Sequence, residues 1–250
     1  MAFELEVLFS PAEFRTLPQR DLTGTTCVVF DVLRATSTIV TALAAGAAGV
    51  QPVGEIAEAL ALRRARPEVL LAGERDGLRI RAALTGGVDF DLGNSPREFT
   101  PARVAGRLIV MTTTNGTRAL KACAGAAEVM VGSFLNLRAT AEHLARSPGK
   151  SICLVCAGTG ENAALEDTLA AGALCAELQS IQPTAQLQDS GLIACHAFLQ
   201  ARDDLANAVG KACNARRLLG QPELRDDVEF CLRGRCGVVA VSDADKILRG

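Results

Sequence analysis

The sequence has no tryptophan and no tyrosine, and only two histidines among its 250 residues. Without Trp or Tyr, no aromatic platform for stacking single-stranded nucleic acid suggests itself. His143 and His196 cannot furnish a His-rich zinc site, and neither is a candidate for phosphohistidine catalysis. Charge of one sign is also missing: 26 basic side chains face 28 acidic ones, for a net charge of -2. Nothing in that balance calls for nucleic acid or an anionic membrane as a partner. The most apolar run, Ile39 to Val50, is rich in Ala and Gly and falls short of the ~20 residues that span a bilayer. The start, MAFELEVLFSPAEF, lacks the basic then apolar pattern of a secretory signal, so a cytoplasmic location is expected. No Cys is followed six positions later by Arg, and no GxxxxGK[ST] occurs, which removes cysteinyl-phosphate and P-loop chemistry. The DxD pairs Asp89/Asp91 and Asp243/Asp245 lack the Thr or Val that aspartyl-phosphate phosphatases place two residues on.

What is present is a large apolar fraction, 49%, and nine cysteines at irregular spacing. The odd count and apolar settings read as buried free thiols in a reducing compartment. Cys153 and Cys156 fall in a strand pattern and so face opposite sides of it. Short β-branched runs alternate with helical patterns. Strands are expected at Thr26–Leu33, Glu68–Ala72, Arg107–Thr113, Glu128–Gly132, Ser151–Val155 and Gly237–Val241. Helices are expected at Ser37–Gly46 (capped by Thr36 or Ser37), Glu55–Ala65, Arg118–Ala124, Leu137–Arg146, Ala163–Leu178 and Val209–Leu219. The alternation predicts an α/β fold, a mostly parallel or mixed sheet flanked by helices, with residues 1–250 as one domain. The echo between TALAAGA (Thr41–Ala47) and TLAAGA (Thr168–Ala173) fits either chance or two related halves facing one cleft.

In such sheets ligands bind beyond the carboxyl ends of the strands. Four predicted strand ends deliver chemistry there. The first carries Asp31, Arg34, Thr36 and Ser37, and the second Glu74 and Arg75. The third carries Thr114, Asn115, Gly116 and Thr117, and the fourth Gly158 to Gly160 followed by Glu166 and Asp167. Carboxylates with amide and hydroxyl oxygens are hard ligands suited to Mg²⁺, and arginines fork onto phosphate. The TTTNGT loop before a helix fits an anion site or simple helix capping. Asp31 fits a ligand or a structural pair with Arg34. Glu166 and Asp167 point ~100° apart on a helix, so one of them, preferentially Asp167, would reach a metal.

At these residues the sequence resembles the 2-phosphosulfolactate phosphatases of coenzyme M biosynthesis. The resemblance is carried by VVFDVLRATSTIVTALAAGA (Val28–Ala47), AGER (Ala72–Arg75), FDLGNSPREF (Phe90–Phe99), TTNGTRAL (Thr113–Leu120), CAGTGENAALEDTLAAGAL (Cys156–Leu174) and DVEFCLR (Asp227–Arg233). This chain departs from the pattern in a longer Asp76–Asp89 segment, in Asp89 itself where a Gly is usual, and in Ala240 where a Pro is usual. The resemblance implies a family-specific fold and Mg²⁺-dependent hydrolysis of (R)-2-phospho-3-sulfolactate to 3-sulfolactate and phosphate. It marks Asp31, Arg34, Thr36, Glu74, Arg75, Asn94, Thr114, Asn115, Thr117 and Asp167 as the site. From residue type, Asp31, Glu74 and Asp167 are expected to hold Mg²⁺, with Arg34 and Arg75 neutralising anionic charge. The Thr114–Thr117 turn, Gly116 included, is expected to hold phosphoryl oxygens while water or Asp31 attacks in line. The alternatives are a phosphatase or lyase for another small phosphorylated carboxylate, and a non-catalytic anion-binding protein. Association into a homo-oligomer is left open.

Overall fold

The structure, a computed structural model, describes residues 4–146, 151–233 and 236–250. The strands are β1 (Glu4–Leu8), β2 (Thr25–Phe30), β3 (Gly49–Pro52), β4 (Leu70–Arg75), β5 (Leu78–Arg79), β6 (Leu108–Thr112), β7 (Glu128–Gly132), β8 (Ser151–Cys156), β9 (Gln186–Leu187), β10 (Ala240–Asp243) and β11 (Lys246–Arg249). They join into one mixed sheet in the order β5-β4-β6-β3-β11-β10-β7-β2-β8-β1-β9. Helices flank it, so the fold is α/β.

The sheet has two parallel groups. In one, β3, β6 and β4 run together. In the other, β7, β2, β8, β1 and β9 run together. The antiparallel hairpin β10–β11 lies between them, touching β7 through Val241 and Met130 and β3 through Ile247 and Val50. Each of these steps reverses direction, so the two groups run opposite ways. The echoing Ala-rich segments lie in the helices Ala35–Ala44 and Leu165–Ile181, which follow β2 and β8. Those strands are neighbours in one group. The echo therefore does not separate the two groups.

Side-chain alternation assigns each strand residue to a face. Val28, Phe30, Leu154 and Cys156 pack with the helices Leu137–Ala145, Leu165–Ile181 and Asp189–Ala201. Cys27, Val29, Cys153, Val155, Ile109 and Met111 face the other way, onto the helices Ala35–Ala44 and Gly116–Ala122. This second core spans both strand groups. A third core packs Val110 and Leu71 against Ala59 of the helix Ile56–Ala65. Each fully buried Leu, Val or Phe contributes ~1.5–3 kcal/mol relative to exposure. Cys153 and Cys156 fall in different cores, as their spacing implies, and all nine cysteines are free.

The structure corrects several boundaries. β2 ends at Phe30, which leaves Asp31 to Leu33 in the loop. The next helix starts at Ala35 with Arg34 in the capping position, not Thr36 or Ser37. The expected helix Val209–Leu219 is two helices, Leu205–Gly210 and Cys213–Leu219. The late strand lies at Ala240–Asp243, not Gly237–Val241. The strand β1, the short β3, the hairpin partner β11 and the helix Asp189–Ala201 have no counterpart in the sequence expectations. Among the described residues no helix is long and apolar enough to cross a membrane.

Candidate active site

The carboxyl ends of β2, β4, β6 and β8 open onto one cavity of about 100 Å³. Asp31 and Arg34 reach it from the loop after β2, and Glu74, Asp76 and Gly77 from the end of β4. Asn94 enters from the FDLGNSP segment. Thr114 and Asn115 follow β6, and Thr159 and Gly160 follow β8. Asn214 and Arg217 close it from the helix Cys213–Leu219. The space is small and lined mainly by polar side chains, which suits a compact polar ligand.

Of the three carboxylates that line the cavity, Asp76 is exposed, while Asp31 and Glu74 are held largely by backbone. Glu74 Oε2 accepts from the Gly77 amide at 2.7 Å, and Oε1 accepts from the Thr114 amide and hydroxyl at 2.9 Å each. The turn that supplies Gly77 is Asp76–Gly77, both with positive φ, the geometry of a two-residue hairpin between β4 and β5. Asp31 Oδ1 accepts from the Ala35 amide at 3.2 Å, and the Thr36 hydroxyl accepts from the Asp31 amide at 3.0 Å. A Cβ at Gly116 would lie 2.8 Å from Asp31 Oδ2, so only glycine lets that loop approach so closely. Burial pushes the Asp31 carboxyl up to about 7, and the charges of Glu74 and Glu166 add to the rise, while amides of Ala35 and Gly116 oppose it.

Two amide oxygens complete the donor set. Asn115 donates its Nδ2 to the Gly158 carbonyl at 3.1 Å, which fixes the orientation of its amide. Its Oδ1 is buried without a hydrogen-bond partner, and so is Asn94 Oδ1. Orphaned buried acceptors are costly, typically ~1–3 kcal/mol each, and call for a donor or a cation. Two carboxylates and two amide oxygens around one small cavity are an all-oxygen set, which fits a hard divalent cation that keeps water or takes substrate oxygens as its remaining ligands.

Other expected residues have different tasks. Asp167 does not line the cavity. Its Oδ1 accepts from the Val32 amide at 2.8 Å and its Oδ2 from the Gly158 amide at 3.1 Å, so both oxygens tie the β2 loop to the β8 loop. The expected cage of three carboxylates is thus reduced to two. Among the described residues no group of three His, Cys, Asp or Glu side chains is set to close on one metal. Arg75 points away, because it alternates with Glu74 along β4, and it donates to the Glu74 carbonyl and the Thr112 hydroxyl. Of the Thr114–Thr117 turn, Thr114 and Asn115 line the cavity, and the turn also positions neighbouring side chains. Thr114 is spent on Glu74, Gly116 abuts Asp31, and the Thr117 hydroxyl donates to the Thr113 carbonyl at 3.0 Å. Thr36 braces Asp31 and does not line the cavity.

Arg34 is almost fully buried. It donates Nη1 to Asp227 at 2.7 Å and Nη2 to the Gly77 carbonyl at 2.6 Å. Asp227, wholly buried, also accepts from the Ser95 hydroxyl at 2.7 Å. Asp227, Asn214 and Arg217 are absent from the sequence-based site. Asp227 had a signal, since it opens the DVEFCLR stretch; Asn214 and Arg217 sit in a helix with no motif. Glu166 is buried, and its oxygen accepts from Asn214, which also donates to the Thr159 hydroxyl. Burial pushes the Glu166 carboxyl upward, against the Asn214 bond and the Arg217 charge. The long Asp76–Asp89 segment forms β5 and the turn Ala82–Thr85. It lines an adjoining cavity of about 300 Å³, which shares Arg34, Gly77 and Asn94 with the first. Neither DxD pair reaches the site: Asp91 is tied to Arg63 and the Leu71 amide, Asp89 to the Ala82 amide, and Asp245 to Gln51.

Comparison with known proteins identifies the family. Residues 13–243 match the family model described as 2-phosphosulpholactate phosphatase. A probable 2-phosphosulfolactate phosphatase of Caldanaerobacter subterraneus subsp. tengcongensis is 40% identical over 225 residues, 88% of each chain. One of Thermotoga petrophila is 41% identical over 207 residues, covering 82% of this chain and 83% of its own. One of Synechococcus sp. is 40% identical over 210 residues, covering 82% of this chain and 83% of its own. With nearly its whole length matched, this chain belongs to the 2-phosphosulpholactate phosphatase family.

Proposed function

We propose that the chain is a Mg²⁺-dependent phosphatase that hydrolyses a small phosphorylated hydroxy acid, with 2-phospho-3-sulfolactate as its substrate and 3-sulfolactate and phosphate as products. The observation that carries this reading is the pairing of Asp31 and Glu74 with the unpartnered oxygens of Asn94 and Asn115 in one cavity flanked by Arg34 and Arg217. Those four oxygen-bearing side chains would hold the cation. When bound, Mg²⁺ supplies charge neutralisation at the phosphoryl group and lowers the pKa of water.

The chain's own residues supply the rest. The Gly77 and Thr114 bonds fix Glu74 in place, so no reorganisation is needed when substrate enters. Arg34 has its charge balanced by Asp227 and retains unspent N–H groups for an ester oxygen. Asp31, protonated near neutrality before a cation arrives, gives up that proton on binding and is then the charged group nearest the Gly116 loop.

The test is phosphate release from a panel of phosphorylated hydroxy acids, with Mg²⁺ and with a chelator in excess. The expected result is release that requires Mg²⁺ and is fastest for 2-phosphosulfolactate. Undiminished release in chelator would remove the metal from the proposal. Release from none of the esters would remove the activity.

A further inference from the structure

Of the two arginines that line the cavity, only Arg34 has a carboxylate partner. Its guanidinium lies 2.7 Å from Asp227, so the pair contributes little net charge. Arg217 forms no ion pair among the described residues. Its one hydrogen bond there is a long one, Nη2 to Asn214 Oδ1 at 3.4 Å. Both guanidinium groups flank Gly77, where a Cβ would stand 3.8 Å from Arg217 Cζ and 3.9 Å from Arg34 Nη2.

The position of Arg217 is set by its helix. Asn214 and Arg217 are three residues apart and share one face of Cys213–Leu219. Asn214 fastens that face to the cavity through the Thr159 hydroxyl at 2.7 Å and Glu166 at 2.8 Å. The helix thus carries a guanidinium to the rim with its charge unspent. The cation and Arg34 can serve the phosphate. A substrate with a second anionic group brings further charge into a cavity already lined by three carboxylates, Asp31, Glu74 and Asp76, and Arg217 is the remaining positive group that faces it.

Building on the phosphatase reading, we infer that Arg217 is the specificity-determining residue that binds the non-reacting anionic group, sulfonate or carboxylate, of a phosphate ester. The guanidinium fork matches both groups, and its exposure at the rim leaves it free to swing onto them. As an exposed side chain it is not required for folding.

The experiment compares wild type with Arg217→Gln and Arg217→Lys on three esters: 2-phosphosulfolactate, 2-phospholactate, which keeps the carboxylate but lacks the sulfonate, and glycerol 2-phosphate, which has neither. Arg217→Gln is expected to raise KM for 2-phosphosulfolactate about ten- to a hundredfold, the usual cost of a charge-assisted hydrogen bond. KM for glycerol 2-phosphate and kcat for every ester should stay within about threefold, and Arg217→Lys should recover part of the loss. If 2-phospholactate shares the rise, the contact is to the carboxylate; if not, to the sulfonate. An unchanged KM, or an equal rise for glycerol 2-phosphate, overturns the inference. Calorimetric binding of 3-sulfolactate separates it from the activity. Wild type binding more tightly than Arg217→Gln supports the role of Arg217 even if no ester is turned over, and equal binding or none refutes it.

Discussion

On the cavity wall built by β4 and β6, hydrogen bonds aim a carboxylate inward: Gly77 and Thr114 hold Glu74 facing the cavity. On the wall built by β2 and β8, two aspartates divide. Asp31 faces the cavity with a carboxyl pushed up to about 7, while Asp167 turns both oxygens onto backbone amides. All three are acidic and lie at or beyond the carboxyl end of a strand, Glu74 next to last in β4, Asp31 in the loop after β2 and Asp167 in the helix after β8, so residue type does not distinguish them. What does is where the side chain lies: Asp31 and Glu74 line the cavity, whereas Asp167 sits behind it as a brace between two loops.

The largest effect that separates the two aspartates is on turnover. Asp31→Asn is expected to lower kcat by on the order of a thousandfold or more while leaving the fold intact, because burial raises the carboxyl it replaces to about 7 and the metal-free chain already accommodates a neutral group there. Asp167→Asn replaces one amide-bonded oxygen with a donor, and should cost ~1–3 kcal/mol of stability, read by denaturant titration, with a much smaller loss of activity at saturating Mg²⁺. A reversal of these two outcomes would exchange their roles.

The next contrast is between the two cavity arginines. Asp227→Ala leaves Arg34 buried without its partner and should destabilise the chain by ~3–5 kcal/mol. Arg217→Gln should leave the melting temperature within a degree or so. A third contrast is pH. With its folded pKa raised from near 4 to about 7, Asp31 holds a proton in the folded chain that the unfolded chain releases. Metal-free stability should therefore fall as pH rises across that window, by about 4 kcal/mol at most. Asp31→Asn should flatten the slope, and Mg²⁺ should offset it above pH 7.

The sequence discloses more of the fold than of the site. Strand runs such as TCVVF and SICLVC are apolar on both faces, which is the signature of interior strands, and both are interior. The strands missed are short: β1 reads ELEVL, five residues of which two are acidic, and β3 has four residues at the end of an Ala-rich stretch that resembles a helix. Asp31, Glu74 and Asn115 can be named from predicted strand ends, and Asn94 from the family resemblance. Asp167 and Arg75 cannot be told from ligands without coordinates, because their tasks are set by the amides and hydroxyls opposite them. Asp-Gly at 76–77 is a legible hairpin signal that explains why Glu74 is locked, and it lies in the segment that departs from the family pattern. Arg217 was out of reach, because helix Cys213–Leu219 meets the cavity only through tertiary packing.

The most direct measurement is calorimetric titration of Mg²⁺ into wild type, Asp31→Asn, Glu74→Gln and Asp167→Asn near neutral pH. The account predicts one saturable site in wild type, with proton release from Asp31. Binding should be lost in the Asp31 and Glu74 variants and retained in Asp167→Asn. Wild-type affinity in Asp31→Asn and Glu74→Gln, or loss confined to Asp167→Asn, would contradict it.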